Sequence, residues 1–118
     1  MSKANVKCSL RKVNDTVSII DIEGEIIAFA EGELMEAYQQ ATQDGARTIL
    51  LNFKGLEYMN SSEIGLLVTL LIRVRRQNQR LLACNLIEHY QQIFELTKLN
   101  EVVTLFPTEE EALAAARL

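Results

Sequence analysis

Thr48-Ile49-Leu50-Leu51-Asn52-Phe53 constrains the fold of this chain more than any other stretch. A strand with one wet face alternates apolar and polar residues. A short run that is apolar on both alternations belongs instead to a strand covered on both sides. Such a strand needs helices packed over a sheet, so strands and helices should alternate along the chain.

The rest of the sequence meets that requirement. Cys8 to Val13 alternates weakly, Thr16 to Ile22 alternates with β-branched residues, and Asn14-Asp15 supplies the turn of a hairpin between them. After Gly24 the period changes. Ala30, Leu34, Ala37 or Tyr38, and Ala41 recur at helical spacing, with Glu31, Glu33 and Glu36 toward the positive end and Gly45 as the stop. Leu81 to Cys84 reads as a strand, Glu88 to Leu96 as a helix with Ile93 and Phe94 inward, and Val102 to Phe106 as a last strand. Pro107-Thr108-Glu109-Glu110-Glu111 opens an Ala-rich terminal helix, with Thr108 as cap and Glu111 completing a capping box. The expected fold is α/β: residues 1–118 as a single domain, with a mixed, mostly parallel sheet of about four to five strands and about four helices.

Asn60-Ser61-Ser62-Glu63 reads as a further helix start, because Asn caps well and Glu63 can reach back to the cap's backbone N–H. The helix should run to about Gln77. Its first half is apolar almost all round, with Ile64, Leu67, Val68 and Leu71 expected in the core. Its end is basic through Arg73, Arg75 and Arg76, with Arg80 beyond, a pattern that complements the negative end of a helix dipole.

Several function classes fall away on composition. The net charge of −4 argues against nucleic acid as partner, and without Trp and with only 6% aromatic residues base-stacking platforms are not expected. The densest apolar stretch, Ile64 to Ile72, is nine residues long, whereas a membrane-spanning helix needs about 20. Met1-Ser2-Lys3-Ala4-Asn5 leads into a mixed polar segment with no signal-peptide core, so the expected location is cytoplasmic. Cys8 and Cys84 fit no metal spacing and read as reduced, packed residues. His89 is the only histidine, and neither GxGxxG nor GxxxxGK[ST] occurs. No catalytic residue, metal or cofactor is therefore assigned, and a binding protein rather than an enzyme is expected.

The segment Leu56-Glu57-Tyr58-Met59-Asn60-Ser61-Ser62-Glu63-Ile64-Gly65-Leu66-Leu67 resembles the signature of the STAS family, named for sulfate transporters and anti-sigma factor antagonists. That signature is a strand, a short loop, then Asp-Ser-Ser/Thr-Gly-Leu-Gly opening an apolar helix. Gly24-Glu25-Ile26, Phe94-Glu95-Leu96-Thr97-Lys98-Leu99 and Thr108-Glu109-Glu110-Glu111-Ala112-Leu113 extend the resemblance over nearly the whole chain, in the family's order. In anti-sigma factor antagonists the first Ser of the element is phosphorylated by the partner anti-sigma factor, itself a kinase, and phosphorylation ends the complex. The resemblance therefore implies Ser61 as phosphoacceptor, with Tyr58, Met59, Asn60, Ser62, Glu63 and Glu25 at the partner surface, which is expected to reach Phe29. This chain has Asn60 where the family has Asp, Glu63 where it has Gly, and Ile27 where an acid follows the second strand.

The implied partner is an anti-sigma factor and serine kinase, with no nucleic acid and no membrane, and self-association limited to a weak homodimer. Two alternatives accompany this reading. One is a scaffold subunit that is never phosphorylated. The other is a domain binding a small ligand or nucleotide in a cleft near Asn60.

Overall fold

The computed structural model describes residues 6–27 and 30–117. The Thr48–Phe53 run forms the inner part of a longer strand in the middle of a five-stranded sheet, ordered β1-β2-β3-β4-β5. The strands are β1 (Val6–Lys12), β2 (Val17–Ile26), β3 (Thr48–Met59), β4 (Arg80–Cys84) and β5 (Thr104–Phe106). Only β1 runs antiparallel to its neighbour; every other pair is parallel. The helices are α1 (Ala30–Gln43), α2 (Ile64–Arg76), α3 (Glu88–Leu96) and α4 (Glu109–Ala116). The mixed α/β architecture is thus the expected one.

Both faces of the sheet are covered, and the alternation along each strand decides which side chain goes where. Ile20, Ile22, Ile49, Leu51, Phe53, Leu81 and Ala83 point to one face, where α1, α2 and α3 bury Leu34, Leu67, Leu70 and Phe94 among them. Ile19, Leu50, Leu82 and Cys84 point to the other, against Ala112, Leu113 and Ala116 of α4. Each such aliphatic side chain contributes about 1.5–3 kcal/mol on full burial.

Cys84 and Cys8 are free thiols, and burial pushes their pKa values up to about 11 and about 12. Both therefore stay protonated at neutral pH.

Two boundaries depart most from the sequence reading. β3 runs to Met59 rather than Phe53, because beyond Asn52 it leaves β4 behind and pairs with β2 alone, as far as Ile26 and Met59. That two-stranded extension carries polar residues, so apolar patterning does not reveal it. It is irregular: the register shifts on either side of Glu23–Gly24, and Gly24 adopts φ +92°. A Cβ at Gly55 would stand 2.7 Å from Cγ of Glu23, so any larger residue would force Glu23 to shift where the strands meet.

The last strand starts at Thr104 rather than Val102. Leu99–Glu101 form a 3₁₀ turn, and the Leu99 carbonyl accepts the N–H groups of Val102 (3.1 Å) and Val103 (2.8 Å) before the sheet can. At α4, Thr108 accepts the N–H of Glu111 at 3.1 Å, which is one half of the expected capping box.

A polar chain crosses the second face at the edge of α4. Arg11 on β1 donates to Asp21 on β2 (2.7 Å) and also to Glu109 of α4 (3.3 Å from Nη1). Asn52 on β3 donates to Asp21 at 2.8 Å and accepts from Asn85 at 2.9 Å. The Arg11 guanidinium, and then Asn52, hold the Asp21 carboxyl below its ordinary range.

A depressed carboxyl pKa stabilises the fold above the unfolded value of about 3.9 and loses that contribution as pH falls through the folded value. Asp21→Asn should therefore cost about 1–2 kcal/mol at neutral pH, the pair being partly exposed. Urea unfolding of both proteins, at neutral pH and again well below the unfolded value, should show that gap closing. A gap of equal size at both pH values would contradict the assignment.

Candidate partner-binding turn

The β2–β3 extension ends in the segment that carries the candidate residues. Glu25 pairs with Tyr58 and Ile26 with Met59. Asn60 remains tied to the sheet, because its N–H donates to the Ile26 carbonyl at 2.9 Å. Ser61–Glu63 then make one 3₁₀ turn before α2 begins at Ile64. The Asn60 side-chain oxygen accepts both the backbone N–H of Ser62 (3.0 Å) and the Ser62 hydroxyl (2.9 Å), and its carbonyl accepts the Glu63 N–H at 2.8 Å.

Asn60 therefore braces the turn as expected of a cap. The return half of the predicted box is not made: the Asn60 N–H that Glu63 was to reach is already spent on Ile26, and Glu63 itself stands at the N-cap of α2 without a side-chain cap bond. The backbone of Ser61 lies in the turn, while its side chain falls outside the described residues, as do Ala28 and Phe29.

The turn is also held from below. Met59 is only 2% exposed, so its side chain belongs to the core, and its N–H donates to the hydroxyl of buried Tyr90 on α3 at 2.9 Å. His89 sits edge-on to the same ring, with centroids 5.0 Å apart.

Around this fixed base, Tyr58 is 46% exposed, Ser62 is exposed, and Asn60, Glu63 and Glu25 are half-buried. Glu25, Glu57 and Glu63 make this end of the molecule acidic. The basic residues of α2 lie at its far end, about 18 Å away along the helix axis.

α2 buries Leu66, Leu67, Leu70, Leu71 and Val74. Val68, expected in the core, is instead 38% exposed, and Ile72 is 47% exposed. With five positions already filling the buried side, Val68 and Ile72 fall one turn apart on the solvent side, in line with Gly65. The outer face of α2 is thus an apolar strip leading away from Ser62, which the all-round apolar pattern of the sequence conceals.

The profile of the STAS domain family matches residues 10–112. The chain belongs to the STAS domain family. Among STAS relatives it is 27% identical over 84 residues to the anti-sigma-B factor antagonist of Staphylococcus aureus (strain NCTC 8325 / PS 47), covering 71% of this chain and 78% of that one.

Its structure is similar to that of the anti-sigma factor antagonist SpoIIAA in its unphosphorylated form, with a TM-score of 0.76 at 25% identity over 93% of this chain and 96% of SpoIIAA. It is similar in fold to the Bacillus cell fate determinant SpoIIAA in the phosphorylated form as well, with a TM-score of 0.72 at 24% identity over 92% and 98%. No helix among the described residues of this STAS domain is long and apolar enough to cross a membrane.

The Met59–Tyr90 hydrogen bond supports the turn from inside the STAS core. Tyr90→Phe leaves a buried N–H unpaired, which costs about 1–3 kcal/mol. Urea unfolding should show that loss, and amide exchange should accelerate at Met59 and Asn60. An unchanged midpoint and unchanged exchange would mean that the hydroxyl does not support the turn.

Proposed function

We propose that this STAS domain is a regulatory binding protein of the anti-sigma factor antagonist kind, whose partner is an anti-sigma factor that is also a serine kinase. Phosphorylation of Ser61 ends the complex. The observation that carries this reading is the braced turn itself: a Ser-Ser pair at the entry of a buried helix, pinned by β2, by Asn60 and by Tyr90, beside an exposed apolar strip. A turn so fixed presents its groups to a partner at little entropic cost.

The chemistry of the switch follows from charge. A phosphoserine carries about −1.5 to −2 charges at neutral pH, here beside Glu63 and near Glu25. Burying that charge against a partner costs its solvation, and a loss of about 1.4 kcal/mol already weakens binding tenfold.

Between the two serines, Ser62 is the brace, since its hydroxyl proton goes to Asn60. That supports Ser61, the position the family resemblance implies, as the acceptor. Asn60 uses only its oxygen in the turn, and a carboxylate could accept the same two bonds. The Asn in the place of the family's Asp thus keeps the geometry while lowering the local charge. The relatives named antagonists, one of them also known in a phosphorylated form, support a role in binding rather than catalysis.

Reaction with the cognate kinase and ATP, followed by phosphosite mapping, tests the reading. Label is expected on Ser61, and Ser62→Ala should keep it. Ser61→Ala should bind the kinase at least as well as wild type and stay unlabelled, whereas Ser61→Glu should bind roughly tenfold more weakly. Asn60→Asp should change the rate of labelling and not its site. Label on Ser62 alone would overturn the assignment of the acceptor. Binding to an active kinase without any label would favour an unphosphorylated scaffold subunit.

A further inference from the structure

A second feature lies at the opposite end of α2. The C-terminal ends of α1 and α2 enclose an open groove of about 580 Å³, a volume suited to a small molecule. One wall carries Arg73 and Arg76, one turn apart on α2; the other carries Gln39, Thr42 and Gln43 of α1.

Two of the lining side chains, Tyr38 and Thr42, are fixed from behind by Gln79, which itself lies outside the groove. Gln79, 9% exposed, accepts from the Tyr38 hydroxyl at 2.7 Å and donates to Thr42 at 3.1 Å and to the Ala46 carbonyl at 2.9 Å. Among the described residues no carboxylate lines the groove, although the chain has four more acids than bases. Among the described residues neither guanidinium has an ion-pair partner. Arg75 turns away and lines a different cavity with Arg80, so Arg73 and Arg76 form a pair of their own.

We propose that this groove binds a small phosphate-bearing anion, held by Arg73 and Arg76 and by neutral amide donors from Gln39, Gln43 and Gln77. The signs decide the class of ligand. Each helix C-terminus brings roughly −0.5 of a charge toward the groove, while the two guanidiniums bring two full positive charges, so the balance is positive. One guanidinium already satisfies a carboxylate bidentately. Two forks one turn apart, with amide donors facing them, match the several oxygens and higher charge of a phosphate or pyrophosphate group. The site is separate from the turn at Asn60, and it does not depend on the proposed phosphorylation.

Titration of the full chain with inorganic pyrophosphate, followed by amide NMR, tests this. Saturable shifts are expected at residues 38–43 and 73–79, with acetate at equal concentration giving none. Arg73→Gln with Arg76→Gln should weaken binding roughly tenfold or more. The charge-matched pair Arg47→Gln with Arg75→Gln, outside the groove, should change it by no more than a factor of about two. All four side chains are exposed, so the fold should survive and unchanged spectra of the free variants will verify it. Absence of saturable shifts at millimolar pyrophosphate would overturn the proposal. So would equal losses in the two double variants, which would reduce the effect to general attraction by a basic surface.

Discussion

The parallel pairing of β2 with β3 is the contact on which the rest of the structure depends. Its first half, Val17–Asp21 against Thr48–Asn52, lies between two layers of helix and holds the apolar side chains of both cores. Its second half continues past the end of β4 and delivers Asn60 to the rim of the sheet. One ladder therefore does two things: it closes the hydrophobic core, and it sets the position of the turn to within the tolerance of a hydrogen bond. The register shifts around Gly24 and the close approach at Gly55 are where the ladder changes from one task to the other.

That arrangement explains how a packed core and an exposed turn coexist in a small domain. Met59 and Asn60 are adjacent in sequence and belong to different environments. The first is sunk in the core and bonded to Tyr90; the second is half-exposed and organises Ser62. Charge is divided in the same spirit, with Glu25, Glu57 and Glu63 around the turn and Arg73, Arg75 and Arg76 at the other end of α2. A negatively charged modification at the turn adds to an acidic surface, and an anionic ligand at the far groove meets a basic one.

Much of this was readable in the residues. The doubly covered strand at Thr48–Phe53, the Asn14 turn, the helix from Ala30 to its stop before Gly45 and the Thr108 cap all came from local chemistry that tertiary contacts left unchanged. What patterning could not supply were features made by long-range partners. The polar half of β3 looks like a loop until β2 pairs with it. Val102 and Val103 look like strand until Leu99 takes their N–H groups. Val68 looks like core because hydrophobicity alone does not say which side of an apolar helix faces out. The chain of Arg11, Asp21, Asn52 and Glu109 joins residues up to 98 positions apart, and no local signal announces it.

Under the proposed function, this STAS domain meets its partner through the turn at Asn60 and the outer face of α2. Hydrogen–deuterium exchange of the chain, alone and in complex with its cognate anti-sigma factor, tests that claim most directly. New protection is expected at residues 58–66 and along α2 as far as Ile72, with α4 and the groove at Arg73 and Arg76 unchanged. Protection centred on α4, with residues 58–66 exchanging as in the free protein, would contradict it.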